Sequence, residues 1–161
     1  IERVDEAFRE QSARGEVPDN IFITLFYAVL DTKTGSLVYS NAGHELPVKI
    51  TANGDVEMLQ STGPIVGLNF SKDFGQAETT LGPGDMLVLY TDGITEARIG
   101  GALFGIDRLV SAIKRCNGCS PEELTERIYN EAKNYANDVV QDDVALVVIL
   151  NDENQRFSSP N

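Results

Sequence analysis

The stretch LVLYTDGITEA, residues 87–97, carries the signal on which the fold and the function of this chain depend. Its first four residues are apolar or aromatic, which is typical of a strand buried in a sheet. The run then stops at the carboxylate of Asp92, and Gly93 follows. An Asp-Gly pair after a strand is most often an ordinary turn. It can also form one wall of a site, and both interpretations stay open on this stretch alone.

A second acidic position lies at the other end of the sequence. In QDDVALVVIL, residues 141–150, Asp142 and Asp143 come directly before an apolar run that predicts a final buried strand. If this strand is the antiparallel neighbour of the one ending at Asp92, the carboxylates meet at one edge of the core. Clustered carboxylates repel unless they are protonated or a cation bridges them, and oxygen ligands select Mg²⁺ or Mn²⁺. Gly93 would let the backbone approach such an ion and offer its carbonyl.

The remaining sequence predicts an α+β domain. Apolar spacing predicts a helix over residues 1–14, and the β-rich stretch 20–31 returns through a turn to predict a hairpin over 21–42 with a mostly buried first strand. Asn53-Gly54 predicts a second hairpin. A half-exposed strand, FGQAETTL, then precedes the buried strand that ends at Asp92.

Two helices come next along the chain. GIDRLVSAIKR has helical spacing, and SPEELTERIYNEAKNYA begins with Ser120 as N-cap and Glu123 three residues later, a capping box. About six strands, two helices and a last strand thus follow the first helix. Hairpins and helices that are segregated in sequence indicate a sheet or sandwich covered by helices. Residues 1–150 are predicted to be the domain, and residues 151–161, NDENQRFSSPN, a flexible polar tail.

Composition excludes several classes of protein. The 161 residues carry a formal charge of −12, which argues against a nucleic-acid binder. No apolar run is long enough to span a membrane. The pair Cys116 and Cys119 cannot form a zinc site alone, and it does not follow a strand as a thioredoxin motif would. We therefore expect a structural role, reduced thiols and a cytoplasmic location.

Familiar catalytic motifs are absent from the sequence. It contains no P-loop, no G-x-G-x-x-G and no G-x-S-x-G. The single histidine, His44 in NAGHELP, follows a predicted strand, and a structural role in a loop is expected for it. A calcium-binding domain that uses the acidic clusters is a weak alternative, because no D-x-[DN]-x-[DN]-G loop occurs.

Several blocks in order resemble one family. YTDGITEA, preceded by FYAVLDTKTGSLVYSNAGHELPV and followed by DDVALVVIL, is similar to the bacterial SpoIIE/RsbU-type serine/threonine phosphatases of the metal-dependent, type 2C superfamily. TGPIVGL and LFGIDRL also fall where that family has similar segments, and the resemblance covers about residues 20–150. It implies an antiparallel β-sandwich flanked by helices.

The resemblance also implies a site and an activity. Asp92 matches the aspartate of the family's T-D-G block, followed by Gly93, while Asp142 and Asp143 match its D-D or D-N block. Two Mn²⁺ or Mg²⁺ ions would activate a water that attacks phosphoserine or phosphothreonine. The substrate would be a phosphorylated protein of the anti-sigma-factor antagonist type, and an upstream regulatory or sensor domain is implied.

The chain departs from the family in one block. The family's Asp-x-x-Gly-His-Gly, which supplies another metal aspartate, is absent, and Gly43-His44 does not replace it because Ser40 and Glu45 stand in the flanking positions. The simplest account is that the N-terminal part of the phosphatase domain is missing and its sandwich is incomplete. The alternative function is a non-catalytic interaction module that keeps the fold without a complete metal site.

Overall fold

The computed structural model describes residues 1–18, 20–68, 73–116, 118–138 and 142–152. One helix, six strands, a short helix, a two-stranded hairpin, two helices and a last strand follow one another along the described chain. All strand pairs are antiparallel, which confirms the predicted α+β class with antiparallel sheets. The chain forms two compact units, Ile1–Leu46 with Gln60–Thr80, and Pro47–Leu59 with Leu81–Asn161. No helix of the described part is long and apolar enough to cross a membrane.

The first unit contains one helix and a three-stranded sheet. Helix α1 spans Glu2–Ala13, and the strands are β1 (Leu25–Leu30), β2 (Ser36–Ala42) and β5 (Ala77–Thr80). Strand β2 is central and pairs antiparallel with both neighbours, so the sheet order is β1-β2-β5. The predicted hairpin over 21–42 is confirmed, although its first strand begins at Leu25.

Helix α1 carries a buried ion pair. Asp5 is 2% exposed, and one of its carboxylate oxygens accepts a hydrogen bond from Arg9 at 2.5 Å. The other oxygen accepts from the backbone N–H of Gly67 at 2.9 Å. Arg9 also donates to the carbonyl of Leu68. The pair therefore joins the helix to the loop at residues 66–68, and both carboxylate oxygens have partners, as a buried charge requires.

The second unit contains a four-stranded sheet. Its strands are β3 (Val48–Ile50), β4 (Val56–Met58), β6 (Met86–Tyr90) and β9 (Leu146–Leu150). Their order is β4-β3-β6-β9 and all pairs are antiparallel. The predicted Asn53-Gly54 turn joins β3 to β4, with Gly54 at φ +86°. Strand β6 is central, which explains its apolar run.

Three helices and a small hairpin complete the second unit. The helices are α2 (Asp92–Thr95), α3 (Gly105–Lys114) and α4 (Pro121–Tyr135), and the hairpin consists of β7 (Arg98–Ile99) and β8 (Ala102–Leu103). The capping box predicted for α4 is present: the Ser120 hydroxyl accepts from the Glu123 N–H, and the Glu123 carboxylate accepts from the Ser120 N–H. Buried residues of α3 and α4, such as Leu109 and Ile128, share one core cluster with Val88 and Tyr90 of β6.

The predicted burial of two strands is wrong. Strand β1 was expected to be mostly buried, yet Tyr27 and Val29 are 59% and 56% exposed. Strand β9 was also expected to be buried, yet Val147 and Ile149 are 52% and 36% exposed. Each is the outermost strand of its sheet in the described chain. Exposed side chains alternate along β1 from Phe26 and along β9. Because successive side chains point to opposite faces of a sheet, each of these strands has one face that is open to solvent.

Other predictions also need correction or lie outside the described residues. Helix α2 and the hairpin β7–β8 were not predicted, because two to four residues carry no measurable periodicity. The expectation of reduced thiols is wrong in this structure, where Cys116 and Cys119 form a disulfide across the turn between α3 and α4. The predicted tail at 151–161 lies outside the described residues from position 153 onward.

Candidate metal centre

The end of β6 lies beside the start of β9. The two strands pair from Met86 with Leu150 to Tyr90 with Leu146. The residue that follows β6 is Thr91, and the residues that precede β9 are 142–145. The two strands are therefore antiparallel neighbours, and the backbones of the two acidic motifs come together at one end of this sheet. Antiparallel pairing alone produces this convergence. That the carboxylates themselves form one site stays a prediction.

Hydrogen bonds continue past the last strand pair. The Thr91 N–H donates to the carbonyl of Ala145 at 3.0 Å. The Thr91 hydroxyl accepts from the Ala145 N–H at 2.9 Å and donates to the carbonyl of Asp143 at 3.0 Å. Three hydrogen bonds therefore hold the segment 143–145 against a single residue, and that residue immediately precedes Asp92.

Gly93 lies in direct contact with the second acidic motif. A Cβ built on Gly93 would lie 2.5 Å from the carbonyl oxygen of Asp143 and 3.1 Å from a methyl of Val144. The distance to the backbone oxygen of Asp143 is too short for any Cβ, so only glycine permits this approach of the two backbones. Gly93 is the residue predicted to let the backbone approach a metal, and the structure adds its contact with Asp143.

The three predicted carboxylates are exposed at this junction. Asp92 is the first residue of α2, and Asp142 and Asp143 lie in the segment before β9. Among the described residues, the carboxylates of Asp92 and Asp143 have no hydrogen-bonding or ion-pair partner, whereas an Asp142 oxygen accepts from the Asp143 N–H at 2.8 Å. Oxygen donors without protein partners suit a hard divalent cation.

The donor set of this chain is incomplete as a metal centre. Over the described ranges, no group of three or more His, Cys, Asp or Glu side chains is arranged to hold a metal ion. The residues present thus fit part of a Mg²⁺ or Mn²⁺ site, with the right ligand chemistry and too few ligands. The sequence also lacks the Asp-x-x-Gly-His-Gly block.

His44 belongs to a tight loop in the first unit. Its backbone N–H donates to the side-chain oxygen of Asn41, which is fully buried. Gly43 has φ +71°, and a Cβ there would lie 2.2 Å from Ile65. These contacts hold the backbone of the segment in place, and the structural role expected for His44 stays a prediction.

A groove of about 530 Å³ runs along α3 and α4, away from the predicted ligands. Its lining residues are Phe104, Arg108, Ser111, Arg115, Glu131, Asn134 and Tyr135. Arg108 stacks on the ring of Tyr135 at 4.6 Å and donates to the carbonyls of Leu103 and Phe104. Arg115 pairs with Glu131. Both guanidinium groups therefore have partners within the protein.

The fold is that of type 2C phosphatase domains. It matches the SiaA-PP2C domain of Pseudomonas aeruginosa with a TM-score of 0.73 at 19% identity, covering 91% of this chain and 57% of that one. It matches the phosphatase domain of SpoIIE from Bacillus subtilis with a TM-score of 0.67 at 18% identity, covering 94% and 66%. At these identities the likeness establishes the fold.

The family follows from the sequence match. The model of the family described as stage II sporulation protein E (SpoIIE) matches residues 1–150, and the chain belongs to that family. Protein IcfG of Synechocystis sp. is 34% identical over 131 residues, which are 80% of this chain and 20% of IcfG. The phosphoserine phosphatase RsbU of Bacillus subtilis is 28% identical over 134 residues, 83% of this chain and 40% of RsbU. The chain thus spans a fifth to two fifths of these relatives.

Two solved structures with this fold are described with a divalent metal. The SpoIIE phosphatase domain above was presoaked with Mn. RsbX was crystallised in complex with magnesium, and it matches 92% of this chain with a TM-score of 0.59 at 17% identity.

Proposed function

We propose that this chain is part of a metal-dependent protein serine/threonine phosphatase that hydrolyses phosphoserine or phosphothreonine on a signalling protein. The observation that carries the proposal is the junction of β6 and β9, where Gly93 contacts Asp143 and the exposed Asp92 lies between Thr91 and Gly93. Membership of the SpoIIE family and the likeness to a phosphoserine phosphatase support it.

The proposed ligands are Asp92, Asp142 and Asp143, with the carbonyl of Gly93. Mn²⁺ or Mg²⁺, two ions in the complete domain, would supply charge neutralisation and a water of lowered pKa. Without a cation, three exposed carboxylates would repel a phosphoryl group. Their exposure leaves the site open to a phosphorylated residue on the surface of another protein. The charge of −12 gives no general affinity for nucleic acid.

We further propose that residues 1–150 form the C-terminal portion of the phosphatase domain, with the remaining ligand supplied by sequence upstream. The chain covers only 57% and 66% of the two solved phosphatase structures described above. The outer strand β1 exposes Tyr27 and Val29, and the outer strand β9 exposes Val147 and Ile149. The upstream part of the same domain is the proposed cover for these apolar side chains, since large exposed apolar patches are uncommon on soluble proteins.

The proposed substrate is a phosphorylated protein of the anti-sigma-factor antagonist type, and an upstream regulatory or sensor domain is proposed to control the activity. The resemblance to RsbU-type phosphatases supports both statements. A cytoplasmic location is part of the proposal, because a phosphatase of this kind acts on signalling proteins inside the cell.

The test compares the full-length protein with the 161-residue chain on one phosphoserine protein. Phosphate release by the full-length protein is expected with Mn²⁺ or Mg²⁺ and is expected to stop in excess EDTA, because the metal activates the attacking water. The isolated chain is expected to release little or no phosphate. Equal activity in EDTA would contradict the metal mechanism, and full activity of the isolated chain would contradict the proposed boundary.

A non-catalytic module with the phosphatase fold is the second candidate. It is favoured by the incomplete donor set of the described residues. The same experiment separates the two candidates: a full-length protein that binds a phosphorylated partner yet releases no phosphate with either metal would establish the module.

A further inference from the structure

Thr91 makes an unusual departure from the β6–β9 ladder. In a hydrogen-bonded antiparallel pair, two residues exchange both backbone N–H···O bonds. Here the Thr91 N–H donates to the Ala145 carbonyl in the ordinary way. The Ala145 N–H instead donates to the Thr91 hydroxyl at 2.9 Å. The side chain therefore takes the place of the Thr91 carbonyl in the ladder.

The displaced carbonyl has another task. The carbonyl of Thr91 accepts from the Ile94 N–H at 3.1 Å, a bond that belongs to the first turn around α2. The chain can therefore leave the sheet and begin the helix that carries Asp92 while β9 stays bonded. The hydroxyl also donates to the carbonyl of Asp143 at 3.0 Å. One hydroxyl thus joins the residue before Asp92 to the second acidic motif.

Capping of α2 does not account for this side chain. Thr91 occupies the N-cap position, where a threonine hydroxyl commonly accepts from the helix backbone. In this structure the Thr91 side chain makes no cap hydrogen bond. Both of its hydrogen bonds are directed instead to residues 143 and 145.

We propose that Thr91 is a positioning residue for the metal site. Its hydroxyl is hydrogen-bonded to the backbone of Asp143 and Ala145. It therefore fixes the position of the backbone that carries the Asp142 and Asp143 carboxylates relative to Asp92. Groups that orient ligands typically change metal affinity 10- to 100-fold when they are removed. Thr91 itself contacts neither metal nor substrate. The inference rests on the proposed function, since it assigns Thr91 to the same site.

The experiment replaces the hydroxyl in the full-length protein. Thr91→Val keeps the branched shape and removes both hydrogen bonds, whereas Thr91→Ser keeps the hydroxyl. Thr125→Val is the matched control, because its hydroxyl also donates to a backbone carbonyl, that of Pro121 within α4. Mn²⁺ affinity is measured by calorimetry, and hydrogen exchange of the Ala145 amide is measured by NMR.

The expected result is Mn²⁺ binding about 10- to 100-fold weaker in Thr91→Val, with faster exchange at Ala145. Thr91→Ser and Thr125→Val are expected to match wild type within about threefold, less than the effect of removing an orienting group. If Thr91→Val does not fold, Thr91→Ala takes its place, since the smaller side chain cannot clash.

Two results would overturn the inference alone. They are wild-type Mn²⁺ affinity in Thr91→Val, and equal loss of affinity in Thr91→Val and Thr91→Ser. A wild-type protein that binds no Mn²⁺ would overturn the inference together with the metal-dependent function. Phosphatase activity of the wild type separates these cases, because a Mn²⁺-dependent wild type leaves the proposed function standing whatever Thr91→Val does.

Discussion

Asp5 and Asp92 show two different ways of placing a carboxylate in this protein. Asp5, in the first unit, is buried, and its two oxygens bond Arg9 and the Gly67 N–H. Asp92, in the second unit, is exposed, and its carboxylate has no partner among the described residues. A buried charge requires compensation from the protein, whereas an exposed charge stays available to a cation. The difference separates a carboxylate that stabilises the fold from one proposed to bind a ligand.

The comparison predicts the largest effect at the proposed ligands. Asp142→Asn in the full-length protein keeps the shape and loses the charge that holds a divalent cation. We expect a loss of activity of about 10³-fold, which corresponds to about 4 kcal/mol. Asp143→Asn is expected to be milder, because the resemblance to the family implies that Asn can occupy the second position. Phosphate release at saturating Mn²⁺ measures both variants.

The control for these variants is Asp55→Asn, an exposed aspartate near the β3–β4 turn. It should retain wild-type turnover, and circular dichroism should show that all variants are folded. Equal losses for Asp142→Asn and Asp143→Asn would show that the roles within the pair are wrongly assigned.

The opposite behaviour is expected at Asp5. Asp5→Ala leaves the Gly67 N–H without its acceptor and Arg9 without its counter-ion, so the free energy of unfolding should fall by about 3 kcal/mol. Urea unfolding of the 161-residue chain measures this change. Glu6→Ala, at the next and exposed position of α1, should change stability by less than about 0.5 kcal/mol. A similar small change in both variants would place Asp5 with the dispensable surface carboxylates.

A smaller effect is expected where the two backbones touch. Gly93→Ala places a methyl 2.5 Å from the Asp143 carbonyl oxygen, so the start of β9 must move away from α2. We expect a loss of about 1–3 kcal/mol in unfolding free energy, together with weaker Mn²⁺ binding in the full-length protein. Calorimetry and urea unfolding measure the two quantities.

Gly82→Ala is the matched control for Gly93→Ala. Its added methyl would lie 3.4 Å from the Asp85 carboxylate, an ordinary contact. A change below about 0.5 kcal/mol is expected for it. If Gly93→Ala were tolerated as well as Gly82→Ala, the close approach at Asp143 would not constrain the junction.

Local chemistry explains which elements could be predicted. Asn53-Gly54 specifies a tight turn between two short strands, and Ser120 with Glu123 specifies a helix start, because each depends on residues within a few positions. The four-residue helix α2 lacks such a signal and was not predicted. The Cys116–Cys119 disulfide was also not predicted, since a C-x-x-C spacing is compatible with free thiols and with a disulfide.

The candidate ligands of the site could be predicted from the sequence, but the hydrogen bonds that join the two acidic motifs could not. An aspartate after one apolar run and an acidic pair before another marked Asp92, Asp142 and Asp143 as candidates. Only the resemblance to the phosphatase family favoured a metal site over ordinary turns at these positions. The role of Thr91 was missed, because a threonine at the end of a strand is common and nothing in the sequence says where its hydroxyl points. The register of Tyr90 with Leu146 places Thr91 beside the Asp143 segment, and the two hydrogen bonds of the Thr91 hydroxyl show that it faces this segment.

The sequence by itself determined the α+β class, the hairpins, the main helices and the acidic residues that flank two strands of one sheet. These features follow from periodicity and turn chemistry, which act over a few residues. The tertiary structure decided the open faces of β1 and β9, the approach of Gly93 to Asp143 and the use of the Thr91 hydroxyl in the ladder. The contacts of Gly93 and Thr91 join residues about 50 positions apart. Strand order and register decide which residues so far apart in sequence meet.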